Sequence, residues 1–470
     1  SYLVSNAIVL PFSGWVSGMI GRKRFYMLSV LLFTISSALC GLAPSLPALI
    51  FFRVLQGIGG GGLQPSEQAI LVDTFPPAKR GMAMAVYGMA ILVAPILGPT
   101  LGGFITDHYS WRWIFYINIP VGCLSLFLSN LVLEDPPYLE AQRAARRGKP
   151  IQVDYIGLGL LALGLGAFQI MLDKGQEEDW FGSHLIVTLA VVAGVTLIAA
   201  IFWELHHPHP MVNLRLLKDR NFAFCGIVIF SAFGVLYGST VLLPTMMQTL
   251  MGYSATLAGL VMSPAGFFTM LEMPIIGILL SRGVDARWLI MTGLGIVAVA
   301  AWWMSTLSLE VTPYNILWPR IVQTLGAGLL WVPINTAAYL YVPRDQTSNA
   351  SGLFNLIRNE GASIGVAMAT TLLQRHSQMH QLRLSEHVTA TSPAAGNMLS
   401  HLSAALGNGD PVQSVERAHR AVYGLVQQQA LLLSYLDLFR IFALASLFVI
   451  PLVLLMRRAV PHKGAEMAVH

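Results

Sequence analysis

The stretch "FFRVLQGIGGGGLQPSE", Phe51 to Glu67, sits in a run otherwise apolar enough to cross a bilayer, yet carries an arginine, two glutamines, four consecutive glycines and a glutamate. On a helix advancing 100° per residue, Arg53, Gln56, Gly57, Gly60, Gly61, Gln64 and Glu67 fall within about 140° of one another. Every polar group thus shares one face with small residues, while Leu55, Ile58 and Leu63 occupy the other. An arginine in hydrocarbon costs ~2.5–3.5 kcal/mol or more, so it must face water, a counter-charge or carbonyls. Glu67 lies about 21 Å further along the axis, too far to be a direct partner. This helix is therefore expected to border a polar cavity, with Arg53, Gln56 and Gln64 on its wall; the alternative is that Arg53 simply pins neighbouring helices together.

The rest of the chain supports the bilayer. Of 470 residues, 55% are hydrophobic and 11% charged, with a mean hydropathy of +0.64; a soluble domain carries about a quarter charged residues. Runs of ~20 apolar residues predict thirteen spans: 1–20, 26–44, 48–72, 83–105, 114–133, 155–173, 184–203, 222–247, 257–280, 288–308, 315–341, 350–373 and 435–456. The expected class is an all-α polytopic membrane protein, since lipid offers no partner for an open strand edge. Eighteen of the 28 lysines and arginines fall in one set of alternate loops and six in the other. The richer set, including Arg22 to Arg24 and Arg457, is then cytoplasmic, with the C-terminus there and Ser1 outside. The basic balance reflects this bias and not a nucleic-acid surface. Cys40, Cys123 and Cys225 lie within spans at no ligand spacing, and "HHPH" at His206–His209 is interleaved with proline; no metal site or cofactor is expected.

The chain repeats itself. "LPFSGWVSGMIGRKR" from Leu10 echoes "MPIIGILLSRGVDAR" from Met273, and "RVLQGIGGG" from Arg53 echoes "RIVQTLGAG" from Arg320, at offsets of 263 and 267 residues. Repeated halves with a midplane site between them are typical of secondary transporters. The expected organisation is an N-terminal bundle (1–133), a linker (134–154), two extra spans packed outside (155–204), a second linker (205–221), five helices of a C-terminal bundle (222–374), a long external loop (375–432), a last span (433–458) and a tail (459–470). The loop reads as polar, then helical.

Buried ionisable groups mark candidate proton carriers, because a carboxyl taken out of water favours its protonated form. Glu272 lies midway through its span; Glu67 and Glu360 are weaker candidates. Arg358 and Glu360 fall on opposite sides of one helix, so at most one should face the cavity, and the Arg358 side, shared with Ser351 and Asn355, is favoured. Tyr237, Phe267, Phe268, Trp331 and Phe354 would line the cavity, with Asn335 and Asn355 as polar contacts; ordinary helix packing is the alternative for each aromatic. In "APILGPTLGG", Ala94, Gly98 and Gly102 form a small-residue stripe suited to close helix packing.

With these stretches in hand, the chain resembles the fourteen-span drug:proton antiporters of the major facilitator superfamily, EmrB/QacA type. "GPTLGG" (Gly98, Pro99, Gly102, Gly103) resembles the antiporter signature of the fifth helix, and "RVLQGIGGG" the fourth-helix motif whose arginine is implicated in proton coupling, a role carried to Arg53. "WRWIFYINIPVG" from Trp111 and "PMVNLRLLKDRNF" from Pro210 are also similar to family stretches. Around the end of the first span, Gly14, Gly21, Arg22 and Lys23 match the family's loop motif, but Gly18 stands where an aspartate is expected. The resemblance implies two pseudo-symmetric six-helix bundles plus two extra helices, with the family's first helix, and its acidic residue, missing before Ser1. It implies proton-driven multidrug efflux without a cofactor, from the bacterial inner membrane. The long loop before the last span resembles the EmrB branch, implying lipophilic substrates, a periplasmic membrane-fusion adaptor and an outer-membrane channel. Export of one defined metabolite, such as a fatty acid or siderophore, and a non-transporting sensor are the rival readings; no nucleotide-binding, zinc-protease or nucleophile motif suggests an enzyme.

Overall fold

A backbone in hydrocarbon must satisfy its own hydrogen bonds, and the described residues do so with helices alone, none forming a strand. The computed structural model describes residues 1–135, 139, 154–208, 210–343, 346–389, 392–405 and 411–458. Most of the 134–154 linker, His209 and the 459–470 tail lie outside them. The helices are α1 (Tyr2–Ile20), α2 (Arg22–Leu42), α3 (Leu46–Gly61), α4 (Leu63–Thr74), α5 (Pro77–His108), α6 (Trp113–Tyr116), α7 (Asn118–Val132), α8 (Tyr155–Lys174), α9 (His184–His206), α10 (Arg220–Leu250), α11 (Ala255–Ser281), α12 (Ala286–Met304), α13 (Pro313–Ala338), α14 (Thr347–Ser385), α15 (Pro393–Ala405) and α16 (Pro411–Leu454). Local chemistry starts several of them. Asp219, Ser254 and Asp285 accept from the backbone N–H groups of Phe222, Leu257 and Arg287 at 2.9, 3.2 and 3.1 Å, satisfying donors that a helix start leaves open.

All thirteen expected spans are helical, and eleven spans among the described residues are long and apolar enough to cross a membrane. The other two are α5, where several side chains lie outside the described set, and α14, whose middle carries Asn355, Arg358, Asn359 and Glu360. The span expected at 48–72 is divided, because the helix breaks at Gly62 between α3 and α4. The external stretch expected at 375–432, polar and then helical, is helical over most of its described length. Helix α14 runs unbroken to Ser385 and α16 starts at Pro411, giving lengths of about 58 and 66 Å against a hydrocarbon core of ~30 Å. Both helices project past the membrane as a packed pair, and α15 lies against α16.

Across the two halves, α1 packs on α14 and α5 on α11. The sequence repeat equates α1 with α11, so the two contacts are mates in one pseudo-symmetric arrangement. At Gly14 a Cβ would strike the backbone of Ser348, so only glycine lets α1 approach α14 this closely. Gly21 joins α1 to α2 at φ 97°, a conformation that favours glycine. Of the small-residue stripe on α5, the surroundings of Ala94 lie outside the described residues. No described atom lies within 4 Å of a Cβ built at Gly98 or Gly102, because α5 meets α11 nearer its other end, where Gly81 and Ala85 approach Leu280 and Gly277. The side-chain surroundings of Pro99 and Gly103 lie outside the described residues.

The extra helices α8 and α9 pair with each other, but they are not both peripheral as expected: α8 also packs on α1 and α14, across the seam between the halves. At the ends of the helices carrying the basic loops, Arg22 is buried, pairs with Asp73 and donates to the Ala69 carbonyl at 2.7 Å. The Lys23 amine donates to the Asn130 carbonyl at 2.7 Å.

Candidate functional site

Between the halves lies a cavity of about 1580 Å³. Its wall reaches from the far ends of the helices, at Tyr2, Gln176 and Gln248, to mid-depth at Leu10, Glu67 and Arg358. Below that level, toward the basic ends, the halves touch through Gly14, Gly81 and Gly277. The site is therefore open on the side away from the basic loops and closed on the other.

The floor is built around Arg358. Its guanidinium donates to Gln64 of the opposite half and to Asn359 Oδ1. It also lies over the rings of Phe233 and Trp331, 5.5 and 5.4 Å from their centroids. One turn lower, Gln68 Oε1 accepts from Asn355 Nδ2 at 2.7 Å and from Tyr339 Oη at 3.2 Å. Ser351 Oγ donates to the Pro65 carbonyl at 2.8 Å. These bonds run from α4 to α13 and α14 and make a buried polar layer that seals the two halves. Gln68, Tyr339 and Asn359 were not singled out in the sequence, because nothing in their local pattern separates them from packing residues.

The carboxylates occupy three different settings. Glu67 lines the cavity and accepts from Tyr87 Oη at 3.0 Å. Glu360 also lines it, and both its carboxyl oxygens are buried without a hydrogen-bond partner. Glu272 stands behind the wall, its Oε2 buried, unpaired and wedged against Gly328 of α13. The expectation that only one of Arg358 and Glu360 reaches the cavity is corrected. The space extends around α14 to Gln169 and Asp173 of α8, so opposite sides of the helix meet it.

Among the other expected lining residues, Gln64, Tyr237 and Trp331 are on the wall. Phe267 and Phe268 are not: they are 49% and 41% exposed on the outer surface of α11, because that helix turns Ala265 and Thr269 inward instead. Phe354 packs between Phe222 and Tyr339, and Asn335 bonds back to the Trp331 carbonyl at 2.7 Å. With Asn355 they lie in the seal below the cavity.

Arg53 also departs from expectation. It donates to Gln56 Oε1 at 2.9 Å and stacks over Tyr2 and Phe115 at 4.9 and 5.6 Å. Its small-residue face is filled by α1, where Gly57 and Gly60 meet Ser5 and Tyr2, so Arg53 and Gln56 pin helices and only Gly60, Gln64 and Glu67 of that face reach the cavity. The repeat mate Arg320 does reach it; the echo "RIVQ" was the signal that pointed there.

Residues 1–366 match the Major Facilitator Superfamily. The chain belongs to that superfamily. The multidrug export protein EmrB of Haemophilus influenzae is 39% identical over 84% of this chain and 76% of its own length. The fatty acid resistance protein FarB of Neisseria gonorrhoeae is 36% identical over 86% of this chain and 78% of its own. These similarities put this major facilitator protein on the EmrB branch of the drug:proton antiporter subfamily. Among solved structures, the human organic anion transporter MFSD10 shares the fold, with a TM-score of 0.57, 15% identity and coverage of 95% and 82% of the two chains. The chain is thus a multi-pass membrane protein with a transporter fold.

Proposed function

We propose that the chain exports hydrophobic or amphiphilic compounds in exchange for protons by alternating access, with the basic loops in the cytoplasm and the cavity opening to the periplasm. The observation that carries this reading is the cavity itself: a largely apolar chamber between two related halves, floored by Arg358 and bordered by Glu67 and Glu360. Its apolar wall suits lipophilic substrates, and the buried carboxyl groups supply places for a proton to be held and released. Glu272 is a third candidate, separated from the cavity by one helix contact. The exporters named above are similar to this chain in sequence, which supports drug export as the activity. One proton moving through ~100 mV yields about 2.3 kcal/mol, enough for a concentration ratio of roughly 50-fold. The projecting pair α14 and α16 offers a surface on the periplasmic side for an adaptor leading to an outer-membrane channel.

The decisive experiment loads inverted vesicles with a proton gradient and adds a panel of lipophilic compounds. Substrates should dissipate the gradient, and Glu360→Gln should cut that response at least tenfold while substrate still binds. No proton movement with any compound would end the antiport reading. A second reading, export of fatty acids, is favoured by Arg358: a cation between two aromatic rings at the base of an apolar chamber suits an amphiphilic carboxylate. Under that reading Arg358→Gln abolishes fatty acid export and spares neutral dyes.

A further inference from the structure

The projecting part of α14 contains "QRHSQMHQLR", Gln374 to Arg383, which places His376 and His380 one turn apart on one face. Opposite them on α16 stands Asp437. His376 Nδ1 lies 3.2 Å, and His380 Nε2 2.7 Å, from the same carboxylate oxygen, Oδ2. The other oxygen, Oδ1, accepts from Arg440 at 3.2 Å. The three potential ligand atoms all lie within 4.8 Å of one another, and the side chains are 25%, 14% and 23% exposed. Nothing in the transport cycle proposed above uses them.

We propose that His376, His380 and Asp437 bind a divalent transition-metal ion, Zn²⁺ being the best fit, where α14 emerges beyond its span and meets the outer part of the last span on α16. Two imidazoles and one carboxylate are a donor set that takes first-row transition metals in preference to Mg²⁺ or Ca²⁺, which want oxygen ligands. Histidines at i and i+4 are the spacing by which one helix offers two nitrogens to a metal. Tetrahedral bonds of ~2.0–2.1 Å set neighbouring donors about 3.3 Å apart. The two nitrogens stand 3.2 and 2.7 Å from Oδ2, near that spacing, and rotation of the imidazole rings brings all three atoms, now within 4.8 Å of one another, around one ion. Binding replaces the protons that the two rings share with Oδ2 by the metal; Arg440 keeps Oδ1 occupied and so directs a single oxygen inward. The fourth position is left to water, and partial exposure gives the ion an entry path.

The consequence is mechanical. Just before His376, Thr371 accepts from Trp180 Nε1 at 3.0 Å and Gln374 meets Gln176, so this part of α14 is braced against the connection between α8 and α9. A metal would fix its other side to α16, making the projection a rigid continuation of the cavity-lining helix.

The test uses the full chain purified in detergent, stripped with a chelator and freed of any histidine tag. Titration with Co²⁺ should show one saturable site with the visible absorption of a four-coordinate ion, displaced by one equivalent of Zn²⁺, and Zn²⁺ should raise the unfolding temperature. His376→Gln, His380→Gln and Asp437→Asn should each weaken binding at least tenfold, whereas His207→Gln in the basic-side histidine cluster should not. Variant folding is checked by metal-free unfolding temperature, and if one variant fails to fold the other two are read. Absence of saturable binding, or binding unchanged in the His376→Gln/His380→Gln double variant, overturns the proposal. Because it needs no transport, the result stands apart from the fate of the antiport reading.

Discussion

Arg53 and Arg320 occupy the same place in the two halves, and each donates to a glutamine three residues on, Gln56 at 2.9 Å and Gln323 at 2.7 Å. Beyond that bond their surroundings diverge. Arg320 is 7% exposed and its guanidinium also donates to Thr240 of α10 at 2.8 Å, while Gln323 donates to Ser239 at 2.9 Å. Arg53 is half-buried, and apart from Gln56 it is held by the faces of Tyr2 and Phe115. One half has built a polar lattice around the cation and the other an aromatic clamp. A hydrogen-bonded lattice fixes direction, whereas ring faces hold a cation while letting it slide. The repeat therefore preserves the costly arginine and its glutamine but not the way the charge is held.

The largest effect should come from Arg320→Ala. It removes two charge-assisted bonds and leaves Thr240 and Gln323 short of partners, a loss of about 3–5 kcal/mol to be read from unfolding in mixed micelles. Gln323→Ala should follow at about 2–3 kcal/mol, since both Arg320 and Ser239 lose a partner. Arg53→Ala should cost about 1–2 kcal/mol, a single bond and two ring contacts; a loss equal to that at Arg320 would show that the two sites are held alike. Smallest is Gln56→Ala, about 1 kcal/mol, because Arg53 keeps its aromatic contacts. An Arg→Lys exchange sharpens the contrast. Lysine keeps a cation for the rings but lacks the fork that binds Gln323 and Thr240 together, so Arg53→Lys should be the milder change.

Much of the molecule was legible in advance, and the reasons differ by element. The thirteen spans follow from apolar runs whose length is set by bilayer thickness, and Gly14 and Gly21 mark a close approach and a turn that few other residues allow. The repeat equated α1 with α11, and each of the two packs against a helix of the opposite half. Arg358 was placed on the cavity because charge in a span demands a polar surface. Phe267 and Phe268 were misplaced because an aromatic ring is equally at home against lipid. The second part of the 375–432 stretch was read as helix, whereas the extension of α14 to Ser385 was not, because polar residues on a helix outside the membrane look like coil when no apolar stripe is required.

Sequence alone determined that the chain crosses a membrane repeatedly, in two related halves, with charges that water or partners must accommodate; these are transfer free energies, which depend on composition and spacing. Only the tertiary structure decided which charges meet the cavity, that Gln68 and Asn355 seal its base, and that two histidines share an oxygen with Asp437. Those outcomes depend on how far each helix is rotated against its neighbours, a quantity set by the packing of all of them at once and written in no single segment.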